Sequence, residues 1–398
     1  MKKNICMIVY SNYSIDARVR REAETLAALP DYAVSVIALK EGVSPETCVV
    51  HGVNVQEVNV TKYRGNSNLR YILSYLKFIL LAFLRCNKLL AARSLDIVHV
   101  HNMPNFLIFS AIIPLLLRKK VILDIHDTLV ETYSAKFDGK RSKILQRLVY
   151  KIICLEEAIC CSLATKIICV NCIQRDALIK RGIPERKIAI SMNVPDPKRF
   201  AIHSERERKR AKDEYKLVYF GTISRRLGID LVINAIARLI GRIPGLQFVI
   251  LGDGEDRQEI VRLSGTLGIN DAVHLSETYV PHDEILKMLP KMDLVIVPNR
   301  KNPATELMLP VKMLEGIAMG LPVVVSRLRT VEYYFSDDQV YYFEADSIES
   351  LSDAILYAYN NELETLNKAQ KAKQFFEKYG WETHKFNLIN IYRELLIT

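Results

Sequence analysis

The chain has 398 residues, of which 49% are hydrophobic and 25% are charged. This length exceeds what one hydrophobic core usually supports, so two domains are predicted, and the composition excludes a disordered chain. No run of about 18 apolar residues occurs, which argues against a membrane-spanning helix. The apolar run at the N-terminus is too short for a secretory signal and predicts a first strand.

The net charge of +10 is unevenly distributed along the sequence. Residues 1–197 carry 28 Lys and Arg against 17 Asp and Glu, whereas the remaining residues carry 27 against 28. The excess of positive charge therefore lies in the first half. It predicts an anionic partner for that half, whether a membrane, nucleic acid or an acidic substrate.

Eight scattered cysteines show no disulfide framework, which favours the reducing cytosol. Four of them lie close together, at Cys160, Cys161, Cys169 and Cys172. Their spacing does not match the paired spacing of a zinc knuckle, and Cys169 falls inside an apolar strand. The sequence therefore predicts no metal site.

The first half alternates strand-like apolar runs with helix-like segments. Between the first two strands, Asp16 is a predicted N-cap, and Val19, Ala23 and Leu26 share one face of the helix that follows. Such alternation is typical of α/β domains with parallel sheets covered on both faces. One domain is therefore predicted over 1–197, with strands at 5–10, 33–39, 96–102, 121–126, 166–170 and 188–192.

A polar, highly charged stretch follows Pro195 and Pro197, and we interpret 198–215 as a connector with a solvated basic face rather than a nucleic-acid site. The alternation then resumes and predicts a second doubly wound domain over 216–380. Open α/β sheets bind ligands at the carboxyl ends of their strands, so a cleft between two such domains is expected. The segment 381–398 is helical in pattern and could pack back on the first domain. The strands of the second domain are predicted at 216–223, 246–252, 272–275, 293–298, 321–325 and 340–343.

Neither half carries G-x-G-x-x-G after its first strand, where the first half has the bulky, polar residues 11–16. Hydride-transfer enzymes need glycines at this point so that the backbone can approach a pyrophosphate. Their absence argues strongly against a dehydrogenase.

The strongest chemical signal is LPVKMLEGIAMGLPVVVS at 309–326. Pro310 suits a helix start, Gly320 ends the helix, and the free N–H groups of its first turn favour an anion. Lys312 adds a full positive charge there, and Glu315, one turn further on, could accept hydrogen bonds from a ribose diol. The alternative is an ordinary packing helix with a surface Lys and Glu.

Two further clusters come directly after predicted strands. Residues 220–230 combine Gly221, Arg225 and Arg226, and a guanidinium at this point can bind a diphosphate with two hydrogen bonds. His126 and Asp127 end a strand of the first half, at the edge where a ligand is expected. His99 and His101 are either polar cleft residues or structural histidines, and Asp253 and Glu255 either line the cleft or cap a helix.

Taken in order, these segments resemble the retaining glycosyltransferases of family 4. The second half carries four of that family's motifs, at 221–230, 244–255, 293–298 and 310–324. The first half carries S-x-D-x-R-V-x-x-E-A at 14–23, D-h-V-H-x-H at 96–101 and D-x-H-D at 124–127. The resemblance covers nearly the whole chain and implies the GT-B fold, in which two Rossmann-like α/β domains face a central cleft.

The resemblance also implies roles for residues of this sequence. Glu315 matches a glutamate that contacts the donor ribose, Arg226 a basic residue that holds the diphosphate, and His126 a histidine near the transferred sugar. Together with Lys312, predicted from its charge in the first turn of the helix after Pro310, His126 and Arg226 are the predicted catalytic residues. The implied donor site holds Gly221, Arg225, Arg226, Gly252, Asp253, Pro298, Leu309, Pro310, Lys312 and Glu315. The implied acceptor side holds Asp16, Arg18, His101 and Asp127.

Two positions depart from the family pattern. The first glutamate of E-x7-E falls on the apolar Leu307, with Glu306 one residue out of register, and Thr222 replaces the usual arginine after Gly221. In this interpretation Lys312 compensates for part of the lost positive charge. The contacts that orient the sugar are therefore expected to differ from those of the family.

The expected function is retaining transfer of a sugar from a UDP- or GDP-linked donor to a glycan or lipid-linked acceptor, in polysaccharide or glycoconjugate biosynthesis. No cofactor is expected, and the absence of D-x-D from the strand-end loops predicts a metal-independent site. A front-face mechanism follows, in which the leaving phosphate assists deprotonation of the acceptor. The alternatives are a nucleotide-sugar epimerase of the same architecture and a non-catalytic subunit of a glycosylation complex.

The segment 70–93 is strongly apolar, with interspersed Arg70, Lys77, Arg85, Lys88 and Arg93. Residues 51–150 as a whole carry 15 basic against 6 acidic residues. This pattern predicts docking on anionic lipid, which would make the enzyme a cytoplasmic protein peripheral to the inner face of the membrane. The alternative is a core helix of the first domain with a basic outer face.

Overall fold

The structure is a computed structural model, and it describes residues 2–40, 47–60, 68–137, 143–196, 200 and 214–397. The chain divides into two compact units. The first comprises Met1–Asn193 with His384–Thr398, and the second comprises Val194–Thr383. Nearly all of the predicted connector, 198–215, lies outside the described residues.

The first unit is built on an eight-stranded sheet in the order β3-β4-β2-β1-β5-β6-β7-β8. All pairs are parallel except β3 with β4. The six predicted strands are confirmed, with ends shifted by a few residues. The strands are β1 Lys3–Asn12, β2 Tyr32–Leu39, β3 Thr47–Val50, β4 Val53–Val58, β5 Ile97–His101, β6 Lys120–Ile125, β7 Lys166–Cys169 and β8 Ile188–Ile190.

Strands β3 and β4 were not predicted, although their sequence carries a signal. The two strands form an antiparallel hairpin that pairs Val50 with Val53. Its two turn residues, His51 and Gly52, both have positive φ, at 46° and 81°. Two-residue hairpin turns of this type favour glycine at the second position, which the His-Gly pair supplies.

Helices cover both faces of this sheet. On one face, α2 and α5 flank a 3-10 helix at Asn105–Ala111 that contacts both of them. Their apolar residues form one core cluster with β5, β6 and β7. The helices are α1 Ala17–Ala27, α2 Asn68–Ala91, α3 Ile112–Leu116, α4 Leu129–Phe137, α5 Lys143–Leu163 and α6 Cys172–Lys180.

The second unit is built on a six-stranded parallel sheet in the order β11-β10-β9-β12-β13-β14. The strand order reverses between β9 and β12, which is where doubly wound sheets bind their ligands. All six predicted strands are present. They are β9 Tyr215–Phe220, β10 Leu246–Leu251, β11 Val273–Leu275, β12 Leu294–Val297, β13 Val323–Ser326 and β14 Tyr341–Phe343.

The helices of this unit pack on both faces of the sheet. Apolar residues of the first and the sixth of these helices, α7 and α12, bury one of its faces. The helices are α7 Ile229–Leu239, α8 Arg257–Thr266, α9 His282–Met288, α10 Val311–Ala318, α11 Arg329–Tyr334, α12 Ile348–Asn360, α13 Glu362–Ala372 and α14 Phe375–Tyr379.

The last helix, α15, spans Trp381–Ile397, and residues from His384 onward belong to the first unit. Leu388, Ile391, Tyr392 and Leu395 are buried in the core cluster formed by α1, β1 and β2. The face of the first sheet opposite α2 and α5 therefore depends on residues distant in sequence. Among the described residues, no helix is long and apolar enough to cross a membrane.

Candidate active site

Glycines bring the backbones of neighbouring loops into contact at the carboxyl edge of the second sheet. A Cβ on Gly252 would lie 1.9 Å from the carbonyl oxygen of Gly221, and one on Gly228 would lie 2.0 Å from that of Pro298. The loops that follow β9, β10 and β12 therefore pack against one another without side chains between them. This arrangement leaves main chain and a few polar side chains along the edge.

Lys312 places a basic group beside this edge. Its Nζ donates a 2.6 Å hydrogen bond to the hydroxyl of Tyr219 and lies 4.0 Å from the centre of that ring. A Cβ on Gly221 would come 3.4 Å from the same Nζ, so glycine leaves room for the ammonium. Burial lowers the pKa of Lys312 to about 7, although Glu315 acts in the opposite direction. An anion bound here would restore the positive charge.

The first turn of α10 adds donors beside Lys312. Pro310 precedes the helix and no side chain caps its N-terminus. The exposed Arg226 is close enough for its charge to add to the lowering of the Lys312 pKa by burial, and to oppose the rise that burial causes in the pKa of Tyr219. Two cations and an uncapped helix N-terminus therefore act on the same region, an arrangement suited to a diphosphate.

The neighbouring Arg225 is also exposed, and both its main-chain N–H and its carbonyl oxygen form hydrogen bonds. Its N–H donates to Asp256, and its carbonyl oxygen accepts from Arg300. The Arg300 guanidinium also pairs with Asp230 and Asp346. Arg300 therefore supports the loop that carries Arg225 and Arg226, a role that the sequence did not reveal.

Glu315 lies one turn after Lys312 and is mostly buried. Its Oε1 is 2.8 Å from Nε2 of His282, the first residue of α9. Sequence reasoning missed His282 because it lies 33 positions from Glu315 and matches no motif. The pairing fixes the direction of the Glu315 carboxylate.

At the altered start of the E-x7-E motif, Leu307 and Glu306 have separate surroundings. Leu307 is buried, and Glu306 turns to the next helix, where it accepts a hydrogen bond from the main-chain N–H of Arg329 and pairs with Lys301. Glu306 thus supports α11, the helix that begins at Arg329. The shift of one residue gives the glutamate a local partner that a motif comparison cannot show.

The other residues predicted on the donor side differ in exposure. Asp253 is exposed and accepts a hydrogen bond from the N–H of Gly254, within its own loop. Leu309 is half-buried, whereas Pro298 and Pro310 are buried and shape the main chain. The structure places these residues in the loops after β10 and β12 and before α10.

In the first unit, a buried charge pair underlies the predicted acceptor side. Arg18 donates to both carboxylate oxygens of Asp124, at 2.6 and 2.8 Å, and to Glu22 at 3.1 Å. Burial alone would raise the pKa of Asp124, but Arg18 and then His126 hold it well below its usual value. Arg18, predicted to line the acceptor side, is only 5% exposed, so its guanidinium anchors Asp124.

Three histidines converge on the same carboxylate. Oδ2 of Asp124 lies 3.5 Å from His99 Nε2 and 3.3 Å from both His101 Nδ1 and His126 Nε2. His99 and His101 are fully buried, which favours the structural interpretation of these two. Burial and the neighbouring His99 lower the pKa of His101 well below its usual value. Of the three, only His126 is partly exposed, at 23%.

The same cluster includes the four described residues whose geometry could hold a metal ion. Ligand atoms of Glu22, His99, His101 and Asp124 lie within 4.8 Å of one another. However, the Arg18 guanidinium already pairs with both carboxylates, so a cation would have to displace it. The cysteines at 160, 161 and 169 are buried thiols, and burial raises the pKa of each.

The remaining predicted residues of this side lie in loops beside the cluster. Asp16 caps α1, as predicted, by accepting a hydrogen bond from the N–H of Val19. Asp127 is half-buried, and its carbonyl oxygen accepts from the side chain of Asn102. Asn102 also accepts from the main-chain N–H of His126 at 2.8 Å, so it holds the His126 loop.

Two family models match the chain in succession. Residues 16–199 match the family described as "Glycosyltransferase Family 4", and residues 202–375 match "Glycosyl transferases group 1". The chain belongs to glycosyltransferase family 4. It is 31% identical over 132 residues to an alpha-D-kanosaminyltransferase of Streptomyces kanamyceticus, a match that covers 33% of each chain. The chain spans between 32% and 57% of the length of the curated relatives it matches.

Solved structures show that this member of family 4 has the GT-B fold. A sucrose-phosphate synthase from Thermosynechococcus elongatus aligns over all of both chains with a TM-score of 0.75 and 17% identity. The HepE protein of Anabaena, solved in complex with UDP-glucose, gives a TM-score of 0.70 at 14% identity, over 98% of this chain and 99% of that one. The predicted architecture of two doubly wound Rossmann-like domains is thereby confirmed.

Proposed function

We propose that the protein transfers a sugar from a UDP- or GDP-linked donor to a glycan or lipid-linked acceptor, in the synthesis of a polysaccharide or glycoconjugate. The second unit binds the donor and the first unit contributes the acceptor side. The GT-B fold, the family and the UDP-glucose bound by HepE support a nucleotide-sugar donor. Transfer with retention of the anomeric configuration remains part of this proposal.

The observation that carries the proposal is the concentration of positive charge at the N-terminus of α10. The desolvated Lys312, the exposed Arg226 and the uncapped first turn act on one region. A leaving diphosphate develops negative charge there during transfer, and preorganised donors stabilise that charge best in a partly desolvated site. These groups act on the diphosphate without an ion, so the proposed transfer is metal-independent.

Two groups of contacts with the donor are expected to be separable. Arg226 and Lys312 bind the diphosphate, whereas Glu315, held by His282, accepts hydrogen bonds from the ribose diol. In the first unit, His126 is assigned to the transferred sugar, with its Nε2 held by Asp124. In a front-face transfer, the acceptor oxygen bonds to the anomeric carbon as the bond between that carbon and the diphosphate breaks. The leaving phosphate takes the acceptor proton, while His126 polarises the sugar.

The experiment compares binding of UDP and of pyrophosphate by calorimetry in wild type, Arg226→Ala and Glu315→Ala. Arg226→Ala is expected to weaken both ligands, whereas Glu315→Ala weakens UDP alone. Release of nucleoside diphosphate from a panel of UDP- and GDP-sugars then identifies the donor. Binding of neither ligand by wild type would contradict the proposal.

A non-catalytic subunit is the second candidate, because the position of the first family glutamate is the buried Leu307. Binding of a nucleotide sugar without slow hydrolysis, and without transfer to any acceptor, would favour it. An epimerase would instead convert the donor sugar without an acceptor. Product analysis by anion-exchange chromatography separates these three outcomes.

A further inference from the structure

Helix α2 carries two apolar faces, only one of which is used by the core of the first unit. Tyr75, Phe78, Ala82 and Cys86 are buried against the sheet. A second stripe recurs every three or four residues on the solvent side, where Leu76, Leu80 and Leu84 are each more than half exposed. A helix on the surface of a globular domain normally presents polar residues on that side. The outer stripe therefore needs a partner.

Helix α5 continues the same surface. None of residues 144–156 is buried, and Leu148, Ile152 and Leu155 are each more than half exposed. The 3-10 helix at Asn105–Ala111 lies between α2 and α5, and α3 follows it with the exposed Leu116. Buried residues of α2, of the 3-10 helix and of the last turn of α5 belong to one core cluster, and Leu115 of α3 packs against it, so the exposed sides of these segments adjoin one another. We call it the outer helical face, defined by the outward residues of α2, α3 and α5.

The charges on the outer helical face have one sign. Lys77 and Lys88 of α2, Arg118 after α3, and Arg147 and Lys151 of α5 are all exposed. α2 and α3 contain no Asp or Glu.

The two carboxylates of α5 are both engaged with neighbours. Glu157 is buried and pairs with Arg181, and Glu156 accepts from Asn105. Apolar residues interspersed with exposed basic residues, with no exposed acid among them, are the pattern of a surface that seats on anionic lipid.

We propose that the outer helical face docks on the surface of an anionic lipid bilayer. Leucine and isoleucine side chains enter the headgroup boundary, and the basic residues contact lipid phosphates. A second copy of the chain fits less well, because a two-fold contact through this face would bring the same basic residues together. Helix α2 is already packed on the sheet through Phe78 and Ala82, so it lies along the bilayer surface rather than across it.

The proposal is independent of the sugar-transfer reaction, since it concerns a face of the first unit and can be measured without donor. The experiment is flotation of the full chain with vesicles of phosphatidylcholine alone and with vesicles in which a third of the lipid is phosphatidylglycerol. Wild type is expected to float with the anionic vesicles only, and added salt should reduce its recovery because headgroup contacts are screened.

Three sets of variants test the face. Leu76→Glu with Leu80→Glu, on α2, and Ile152→Glu with Leu155→Glu, on α5, are each expected to lower the recovered fraction at least about tenfold. Lys77→Gln with Lys151→Gln should weaken binding to anionic vesicles by several fold. Val49→Glu and Leu363→Glu change apolar residues elsewhere that are still more exposed, at 74% and 86%, and should float like wild type.

Integrity of each variant is established by its melting temperature and by UDP affinity, both of which should match wild type. Equal recovery with neutral and anionic vesicles would overturn the proposal, as would loss of flotation in Val49→Glu. Failure to float, together with a dimer in solution that Leu76→Glu with Leu80→Glu dissociates, would also overturn it. That result would identify the face as a contact between copies.

Discussion

The Lys312 ammonium donates a 2.6 Å hydrogen bond to the hydroxyl of Tyr219 and lies over the ring of the same tyrosine. Tyr219 in turn donates to the carbonyl oxygen of Thr222, in the loop after β9. The lysine is thus held by a neutral partner rather than by a carboxylate. Such a contact positions the ammonium without neutralising it, and leaves its charge available to an anion.

This arrangement predicts that UDP affinity depends on the proton of Lys312. The pKa of Lys312 is lowered to about 7 by burial in the free protein, and a bound diphosphate raises it. Binding therefore takes up a proton, and affinity should fall as the pH rises above about 7. Calorimetry in buffers of different ionisation enthalpy measures this uptake. Lys312→Met should bind more weakly with a flatter pH profile, and an unchanged profile would contradict the assignment.

Replacing the same lysine should increase the stability of the fold, although it weakens UDP binding. Burial disfavours the charged form of Lys312 in the folded chain, whereas in the unfolded chain it titrates near its ordinary value. Lys312→Met is therefore expected to raise the free energy of unfolding at pH 7. The advantage should shrink as the pH rises, because the unfolded state of wild type binds more protons than the folded state above about pH 7. Urea unfolding at three pH values tests this trend. A lower stability of the variant at pH 7 would count against it.

Gly252 should be intolerant of any side chain. A Cβ at this position would meet the carbonyl oxygen of Gly221 at 1.9 Å, so Gly252→Ala must separate the loops after β9 and β10. We expect a destabilisation of about 2–4 kcal/mol and loss of UDP binding. Gly241→Ala is the matched control, because an added Cβ there meets no atom within 4 Å. Thermal melts and calorimetry measure both effects, and equal behaviour of the two variants would refute the close contact.

Asp124 is expected to be a main source of acid sensitivity in the first unit. Its pKa is held well below the usual value, so its contribution to stability is present above the unfolded pKa and is lost as the pH falls through the folded one. Asp124→Asn should cost about 3–5 kcal/mol at pH 7, because Arg18 loses a buried partner. The difference in the free energy of unfolding between Asp124→Asn and wild type should become smaller below about pH 4. Asp176→Asn, in a partly exposed pair with Arg175, is the control and should change little.

His282 should support the nucleotide site without touching the diphosphate. Its Nε2 is 2.8 Å from Glu315 Oε1, so His282→Ala frees the carboxylate to rotate. UDP affinity is expected to fall about threefold to tenfold, while pyrophosphate affinity stays that of wild type. The double variant with Glu315→Ala should bind UDP no more weakly than Glu315→Ala alone. An additive loss would show that His282 acts independently.

The positions of most strands along the chain and the helix at Pro310 could be predicted because apolar periodicity and helix-ending residues such as proline and glycine are local signals in the sequence. Asp16 could be predicted as a helix cap for the same reason. Contacts between distant residues could not be predicted in this way. The pairing of Arg18 with Asp124 spans 106 positions, and that of Glu315 with His282 spans 33.

The burial of individual side chains could not be predicted from the sequence either. Because side chains alternate along a strand, His99 and His101 lie on one side of β5. Only the sheet register, which pairs His101 with Asp124, shows that this side is buried. The hairpin of β3 and β4, by contrast, was missed although its signal is local. Its alternating pattern and its His-Gly turn could have predicted it.

The position of α15 has a consequence for the order in which the molecule can form during synthesis. The second unit is continuous from 194 to 383 and is fully synthesised before the first unit is complete, because the first unit still requires residues 384–398. Until these emerge from the ribosome, the core around α1 lacks Leu388 and Tyr392, and His99 lacks the hydroxyl 2.6 Å from its Nδ1. The first unit, although translated first, is therefore the last to reach its final packing.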